Sequence, residues 1–179
     1  MTESPLKVRI STPTEPILPG RGFYQLEEES LYVQVGPFSK ERRFYSYIES
    51  ETVRFDFDRK GRLIFIEVAI PRRHWPADAD IAPPAVVEPA DIRWLGFREQ
   101  VGDPAITTSR DRSVVQLSFG DSTTLRNYYL AESVVAQITD NNCLAAVWIT
   151  DIIDDLAGQE IASFRKKLRG PTRGQNVTA

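Results

Sequence analysis

The residues from Asp56 to Glu67 carry the pattern in this chain that comes nearest to a metal site. Their two aspartates, glycine and final glutamate have the spacing of positions 1, 3, 6 and 12 of an EF-hand calcium loop. Lys60 and Ile64, however, stand at positions 5 and 9, where oxygen ligands are needed. The flanking residues alternate as strands do, so we predict a β-hairpin in which Gly61 adopts a positive φ. We expect no metal and no other cofactor.

Nucleophilic catalysis would require the single histidine, His74, to act as the base for Cys143 or a serine. His74 lies in a proline-rich stretch beside Trp75, and Cys143 lies between a predicted turn and a predicted strand. Neither residue belongs to a recognisable nucleophile signature. We therefore predict no catalytic residue, and one histidine with one cysteine also cannot form a thiolate zinc cluster.

Two aromatic elements, Arg42–Tyr45 and Arg126–Tyr129, invite a nucleic-acid interpretation. Aromatic rings stack on unpaired bases while arginine contacts phosphate. Residues 23–70 nevertheless hold nine acids and seven bases, and the whole chain has 22 basic and 25 acidic residues, a net charge of −3. We expect strands with solvated arginines here, and no nucleic-acid partner.

The strongest helical signal runs from Asp151 to Gly170. Its apolar residues recur on one helical face, acids fill its first turn and bases fill its last. The stripe consists of Ile153, Ala157, Ile161, Phe164 and Leu168. The basic cluster at its end is either favourable helix-end charge or a docking patch for an acidic partner or a membrane surface; it consists of Arg165, Lys166, Lys167 and Arg169.

Alternation with a period of two predicts four strands before the proline-rich stretch. They lie at 31–35, 42–48, 53–57 and 63–68, and short turns between them are typical of an antiparallel meander. The same order recurs 84 residues later, and 81 residues later beyond a short deletion. Leu31 then corresponds to Val115, and Leu63 to Leu144. We interpret the two halves as an internal duplication.

The first half also resembles a known family, domain of unknown function 2283, which consists of short bacterial proteins of compact β structure. The residues that carry the resemblance are Tyr24–Glu27, Ser30–Val33 and Val53–Val68. The second half follows the pattern only in outline, because it lacks the second aspartate, the glycine and the glutamate of the turn segment. The resemblance implies a small antiparallel sheet and no established activity.

Prolines divide the chain into segments, since nine of the 12 lie in two stretches, one before the first predicted repeat and one between the repeats. The predicted segments are a proline-rich leader (1–22), β repeat 1 (23–70), a proline-rich linker (71–92), β repeat 2 with the C-terminal helix (93–170) and a tail (171–179). The fold class is mainly β (α+β), with two antiparallel meander repeats packed as a pseudo-dimer and one C-terminal α-helix. One four-stranded repeat would bury too little apolar area to be stable alone.

Composition restricts the class of protein. The chain has 179 residues, of which 41% are hydrophobic and 26% charged, as in ordinary globular proteins. It contains no apolar run long enough to span a membrane and no apolar block typical of a secretory signal near its start. With a single cysteine as well, we expect a cytoplasmic protein.

These observations favour a non-catalytic protein-binding or assembly module, whose partner is another protein or a second copy of the chain. The alternative is a small-molecule binder or enzyme with a cleft between the two repeats, lined by Trp75, Trp94 and Trp148. A deep polar pocket would favour the alternative, whereas an exposed apolar patch would favour the binding module.

Overall fold

The computed structural model describes residues 6–37, 39–121, 124–155 and the single residue Lys166. The protein is mainly β, as the alternating sequence predicts. One 3-10 turn is formed by Arg72–His74. The strands are β1 (Val8–Ser11), β2 (Gly20–Gln25), β3 (Ser30–Val35), β4 (Ser46–Glu49), β5 (Val53–Phe57), β6 (Leu63–Val68), β7 (Glu88–Pro89), β8 (Asp91–Trp94), β9 (Glu99–Gln100), β10 (Ala105–Thr108), β11 (Val115–Ser118), β12 (Leu125–Ala131), β13 (Val134–Thr139), β14 (Leu144–Ile149) and β15 (Ile153–Asp154).

These strands form two large sheets and one small ribbon. The first sheet has the order β15-β2-β3-β6-β5-β4-β9, and the second has the order β10-β11-β14-β13-β12-β7. The ribbon consists of β1 and β8, which pair antiparallel with Val8 opposite Trp94. The five strands β2-β3-β6-β5-β4 have the same order as β10-β11-β14-β13-β12, and all pairs within each set are antiparallel.

The expectation of a simple four-stranded meander is wrong. Strands β4, β5 and β6 do pair in succession, but β3 pairs with β6 instead of β4. Strand β6 therefore lies between β3 and β5, and Leu63, Ile64, Phe65 and Ile66 in it are all buried. The connection from β3 to β4 is long enough to cross the end of the sheet.

The predicted leader and linker contain more structure than their prolines suggested. The leader holds β1 and the start of β2, and the linker holds β7 and the start of β8. Pro89 lies in β7, which is a two-residue strand at the edge of the second sheet. A proline is tolerated there because an edge strand leaves one side of its backbone unpaired.

The predicted helix does not begin at Asp151. Asp151 has a φ of +53°, and the next residues form β15, which runs parallel to β2 at Phe23 and Tyr24. The Asp155 N–H then donates to the Tyr24 carbonyl at 2.9 Å. The pairing of β15 with β2 satisfies backbone N–H and C=O groups that the first turn of a helix would leave without hydrogen bonds. The edge strand therefore forms here instead of the helix that the local pattern predicts. Predicted stripe residues beyond Ile153 lie outside the described residues.

One hydrophobic core joins the two large sheets. Its members alternate along the strands of both, and the rings of Phe55 and Phe119 lie 5.8 Å apart across it. A smaller buried cluster of Tyr32, Ile64 and Phe65 forms a second group, separate from this core. Within the described residues, no helix is long and apolar enough to cross a membrane.

Candidate functional site

The turn that carries the calcium-like spacing is the hairpin predicted from the sequence. It joins β5 to β6, and Gly61 has a φ of +78°. Asp58 Oδ1 accepts the N–H groups of Lys60 and Arg62 at 2.9 and 3.0 Å, while its Oδ2 accepts Arg62 Nε at 2.6 Å. The Asp58 carboxylate therefore holds the turn closed.

The second carboxylate of that pattern, Asp56, is buried against an arginine. Arg54 Nε donates to Asp56 Oδ1 at 2.7 Å. Burial raises the pKa of the Asp56 carboxyl, and the hydrogen bond from Arg54 opposes this shift. No group of three or more potential metal-ligating side chains occurs among the described residues.

The residues considered for nucleophilic catalysis lie in different places. His74 is exposed at the end of the 3-10 turn. Cys143 is a half-buried free thiol that follows the turn between β13 and β14. The Cys143 thiol donates to the Asn141 carbonyl at 3.7 Å, so its partner is a neighbouring backbone group and not His74.

The three tryptophans are all buried but do not form one cleft. Trp75 and Trp94 belong to the shared core, where Trp75 packs edge-on against Tyr24 and Trp94 stacks on Phe55. Trp148 lies outside that core, and its indole N–H donates to Gln137 Oε1 at 2.8 Å. They serve as packing groups at three separate positions.

A cavity of about 80 Å³ does lie where the two halves meet, but other residues line it. Its wall comprises the segment before β2, the ends of β6 and β12, and the ribbon strand β8. The lining residues are Pro13, Thr14, Glu15, Pro16, Ile17, Leu18, Arg42, Arg62, Leu63, Pro89, Ala90, Asp91, Ile92, Arg93, Tyr129 and Leu130. The sequence distributes them over more than 100 positions, so spacing alone gives no signal for this cavity.

Three arginines give this cavity its chemistry. Arg42 Nη2 donates to Glu15 Oε2 at 2.9 Å, and Arg93 binds Asp91 through two nitrogens at 2.8 and 2.9 Å. The hydrogen bond from Arg93 lowers the pKa of the Asp91 carboxyl, which keeps it ionised. Among the described residues, Arg42 Nη1 and Arg62 Nη2 are buried donors with no hydrogen-bond partner.

The second notable feature is an exposed group of large apolar side chains, which we call the aromatic surface. It is built by the loop before β4, the start of β4 and the loop after β8, and the Arg98 N–H of that last loop donates to Ser46 Oγ in β4 at 3.0 Å. Phe97 is 55% exposed, and its ring lies 5.6 Å from that of Tyr45. The aromatic surface consists of the half-buried Tyr47 and four exposed side chains, Phe44, Tyr45, Leu95 and Phe97.

Arginines cover the rings of the aromatic surface. The Arg54 guanidinium lies 4.5 Å from the Tyr47 ring centroid, Arg59 lies 5.3 Å from Tyr45, and Arg98 lies 5.3 Å from Phe97. Arg54 is also paired with Glu49 and Asp56. Within the described part of the chain, Arg59 and Arg98 form no ion pair with a carboxylate. The repeated Arg-x-aromatic-Tyr element was a sequence signal for part of this surface, whereas Leu95 and Phe97 gave none.

Of the basic cluster predicted to bind a partner, Lys166 is exposed. Arg165, Lys167 and Arg169 lie outside the described residues.

Comparison with protein-family models and curated proteins identifies no relative from which a function could be transferred. No family model matches the chain, and no curated protein matches it. The resemblance of the first half to domain of unknown function 2283 stays a prediction from the sequence.

Proposed function

We propose that this protein is a non-catalytic binding module that holds another protein against the aromatic surface. The observation that carries the proposal is the exposure of Phe97, 55%, in ring contact with Tyr45, which is 40% exposed. Large apolar side chains grouped in this way are costly to leave in water and are common at protein interfaces.

The composition of the aromatic surface favours a protein partner. Tyrosine and arginine are enriched among the residues that contribute most to interface affinity, and stacked rings lose little side-chain entropy on binding. Arg59 and Arg98 add positive charge without a carboxylate partner in the described part of the chain. The expected partner therefore presents acidic side chains beside an apolar group, and such pairing would also raise the association rate.

Packing of two related halves against each other would hold the aromatic surface on a rigid body. We infer that the chain is two copies of one five-stranded unit packed as a pseudo-dimer. In support, each hairpin turn accepts an N–H from the strand that precedes the other half: Trp94 donates to Gly61 at 2.8 Å, and Val8 donates to Asn142 at 2.9 Å. Asn142 also shares the positive φ of Gly61.

Site-specific photo-crosslinking tests the proposal. A benzophenone amino acid is placed at Phe97 in the full chain, and the matched control carries it at Val86, which is 75% exposed but outside the aromatic surface. We expect one acidic protein to be crosslinked from Phe97 and not from Val86 in native lysate. Purified, that protein should bind Tyr45→Ala at least about 30-fold more weakly, as for an interface hot spot.

Three results would contradict the proposal. The first is the same set of crosslinked proteins from both positions, and the second is unchanged affinity of Tyr45→Ala. The third is recovery of nucleic acid instead of protein from Phe97. Light scattering of the purified chain shows whether the crosslinked partner is a second copy of the protein.

A further inference from the structure

We propose that the cavity between the two halves is a binding site for a small molecule bearing a carboxylate or phosphate group. This site is separate from the aromatic surface, and the inference does not depend on the proposed protein partner. A small-molecule site between the repeats was the alternative function predicted from the sequence. Its recognition groups are arginines and not the predicted tryptophans.

The argument begins with two donors. Arg42 has a side chain that is 7% exposed, and Arg62 one that is 12% exposed. Each guanidinium makes one ion pair, Arg42 with Glu15 and Arg62 with Asp58, and each keeps a buried N–H-bearing nitrogen without a partner among the described residues. Burying an unsatisfied polar group is costly, and it is more costly on a charged group. Such donors are commonly satisfied by a bound molecule or by water.

The guanidinium groups favour an oxyanion over a neutral molecule. The residues that line the cavity include three arginines and two carboxylates, Glu15 and Asp91. Both carboxylates accept from lining arginines, through Arg42 and Arg93 respectively. Arg62 is paired with Asp58, so each of the three arginines has one carboxylate partner and the site carries no excess charge. The guanidinium nitrogens left without a partner are donors, and the planar guanidinium matches the oxygens of carboxylates and phosphates.

Size and shape restrict the ligand further. A cavity of about 80 Å³ holds several water-sized groups, which suits an oxyanion with a short apolar substituent. Pro16, Leu63 and Tyr129 provide an apolar wall for that substituent. Rigid prolines and strand ends build the site in advance, so little ordering is needed on binding.

Calorimetry and melting temperatures of the full chain test this inference. The probes are inorganic phosphate, ethyl phosphate and butyrate, each compared with sodium chloride at equal ionic strength. At least one probe should raise the wild-type melting temperature above the chloride control. Arg42→Lys and Arg62→Lys keep the positive charge but lose the planar guanidinium, which can donate two parallel hydrogen bonds. Each variant should therefore bind the probe about tenfold more weakly. Arg43→Lys, an exposed neighbour outside the cavity, should bind as the wild type does.

A wild-type measurement keeps the test decisive if a variant does not fold. The Nε–Hε NMR signals of Arg42 and Arg62 should shift on addition of the bound probe, while that of Arg43 should not. Preference for phosphate or for butyrate then assigns the class of ligand. The inference is overturned if all three probes behave like chloride, since solvent would then fill the cavity. Equal loss of binding in Arg43→Lys and Arg42→Lys would also overturn it.

Discussion

The surroundings of each carboxylate set its role in this protein. Asp91 is half-buried and paired with Arg93, whereas Asp56 and Asp58 are buried beside Arg54 and Arg62, and Asp56 also lies near the charges of Glu49 and Glu67. All three look alike in the sequence. Because their surroundings differ, the pH dependence of the unfolding free energy tests the structure at the scale of the residue.

Asp56 and Asp91 should affect stability with opposite signs as the pH changes. The raised pKa of Asp56 means that the folded state holds its proton to higher pH, so the carboxyl's contribution is present near pH 4 and falls as pH rises through its folded pKa. The lowered pKa of Asp91 gives a contribution that is present above about pH 4 and is lost as pH falls. Urea unfolding of Asp56→Asn and Asp91→Asn against wild type, from about pH 3 to about pH 7, measures both.

The difference in unfolding free energy between wild type and Asp56→Asn should therefore shrink or reverse with rising pH. For Asp91→Asn the same difference should grow. If both free-energy differences changed in the same direction with rising pH, burial and pairing would not distinguish these two carboxyls.

Gly61 should not tolerate a side chain. Its φ of +78° favours glycine, and a Cβ built there would lie 2.6 Å from the Trp94 carbonyl oxygen. Gly61→Ala should lower the unfolding free energy by at least about 2 kcal/mol, measured by chemical denaturation. Gly120→Ala is the matched control, because a Cβ there has no atom within 4 Å; its change should stay within about 0.5 kcal/mol. Calcium should leave the melting temperature of the wild type unchanged, and a calcium-dependent rise would contradict the hairpin interpretation.

At the scale of the element, the first strand of the first half contacts the turn between β12 and β13 in the second half. Gly20 begins β2, and its carbonyl accepts the Ser133 N–H at 3.2 Å. A Cβ at Gly20 would lie 2.5 Å from the Cβ of Ala131, which is fully buried at the end of β12. The absence of a side chain at Gly20 therefore permits the two sheets to approach.

A double-mutant cycle measures this approach. Gly20→Ala should be destabilising, and Ala131→Gly should relieve part of that loss in the double variant because it removes the opposing Cβ. We expect a favourable interaction free energy of at least about 1 kcal/mol between the two changes, from urea unfolding of all four proteins. Additive effects would mean that β2 and β12 relax apart without cost. Gly120→Ala combined with Ala131→Gly is the control and should be additive.

At the scale of the whole molecule, the two halves depend on one another. Strand β1 precedes the first half but pairs with β8, which precedes the second. Strand β9 extends the first sheet at β4, and β15 extends it at β2, although both follow the first half in the chain. The shared core then combines the inner faces of both sheets.

Neither half should fold alone as a stable monomer. A chain divided between Ala85 and Val86, in the exposed linker, leaves each half with an uncovered apolar face and a shortened sheet. We expect each half alone to be unfolded, aggregated or homodimeric, and co-expression of the two to restore one cooperative melt. Circular dichroism with light scattering measures both. A monomeric half with its own cooperative melt would contradict the pseudo-dimer.

The sequence by itself determined β3, β5, β6, most of β4 and their counterparts in the second half, because alternation of apolar and polar residues is local and survives in any packing. It did not predict β2 and β10, the first strand of each five-stranded set. It also determined the turn at Gly61, where Asp58 and the glycine have few alternatives. Only the tertiary structure decided that β3 pairs with β6, that Asp151 starts an edge strand instead of a helix, and that Arg42 and Arg62 line one cavity. Those outcomes depend on backbone groups and charges brought together from distant positions, and the energies of pairing and burial that select them are absent from any short window of the chain.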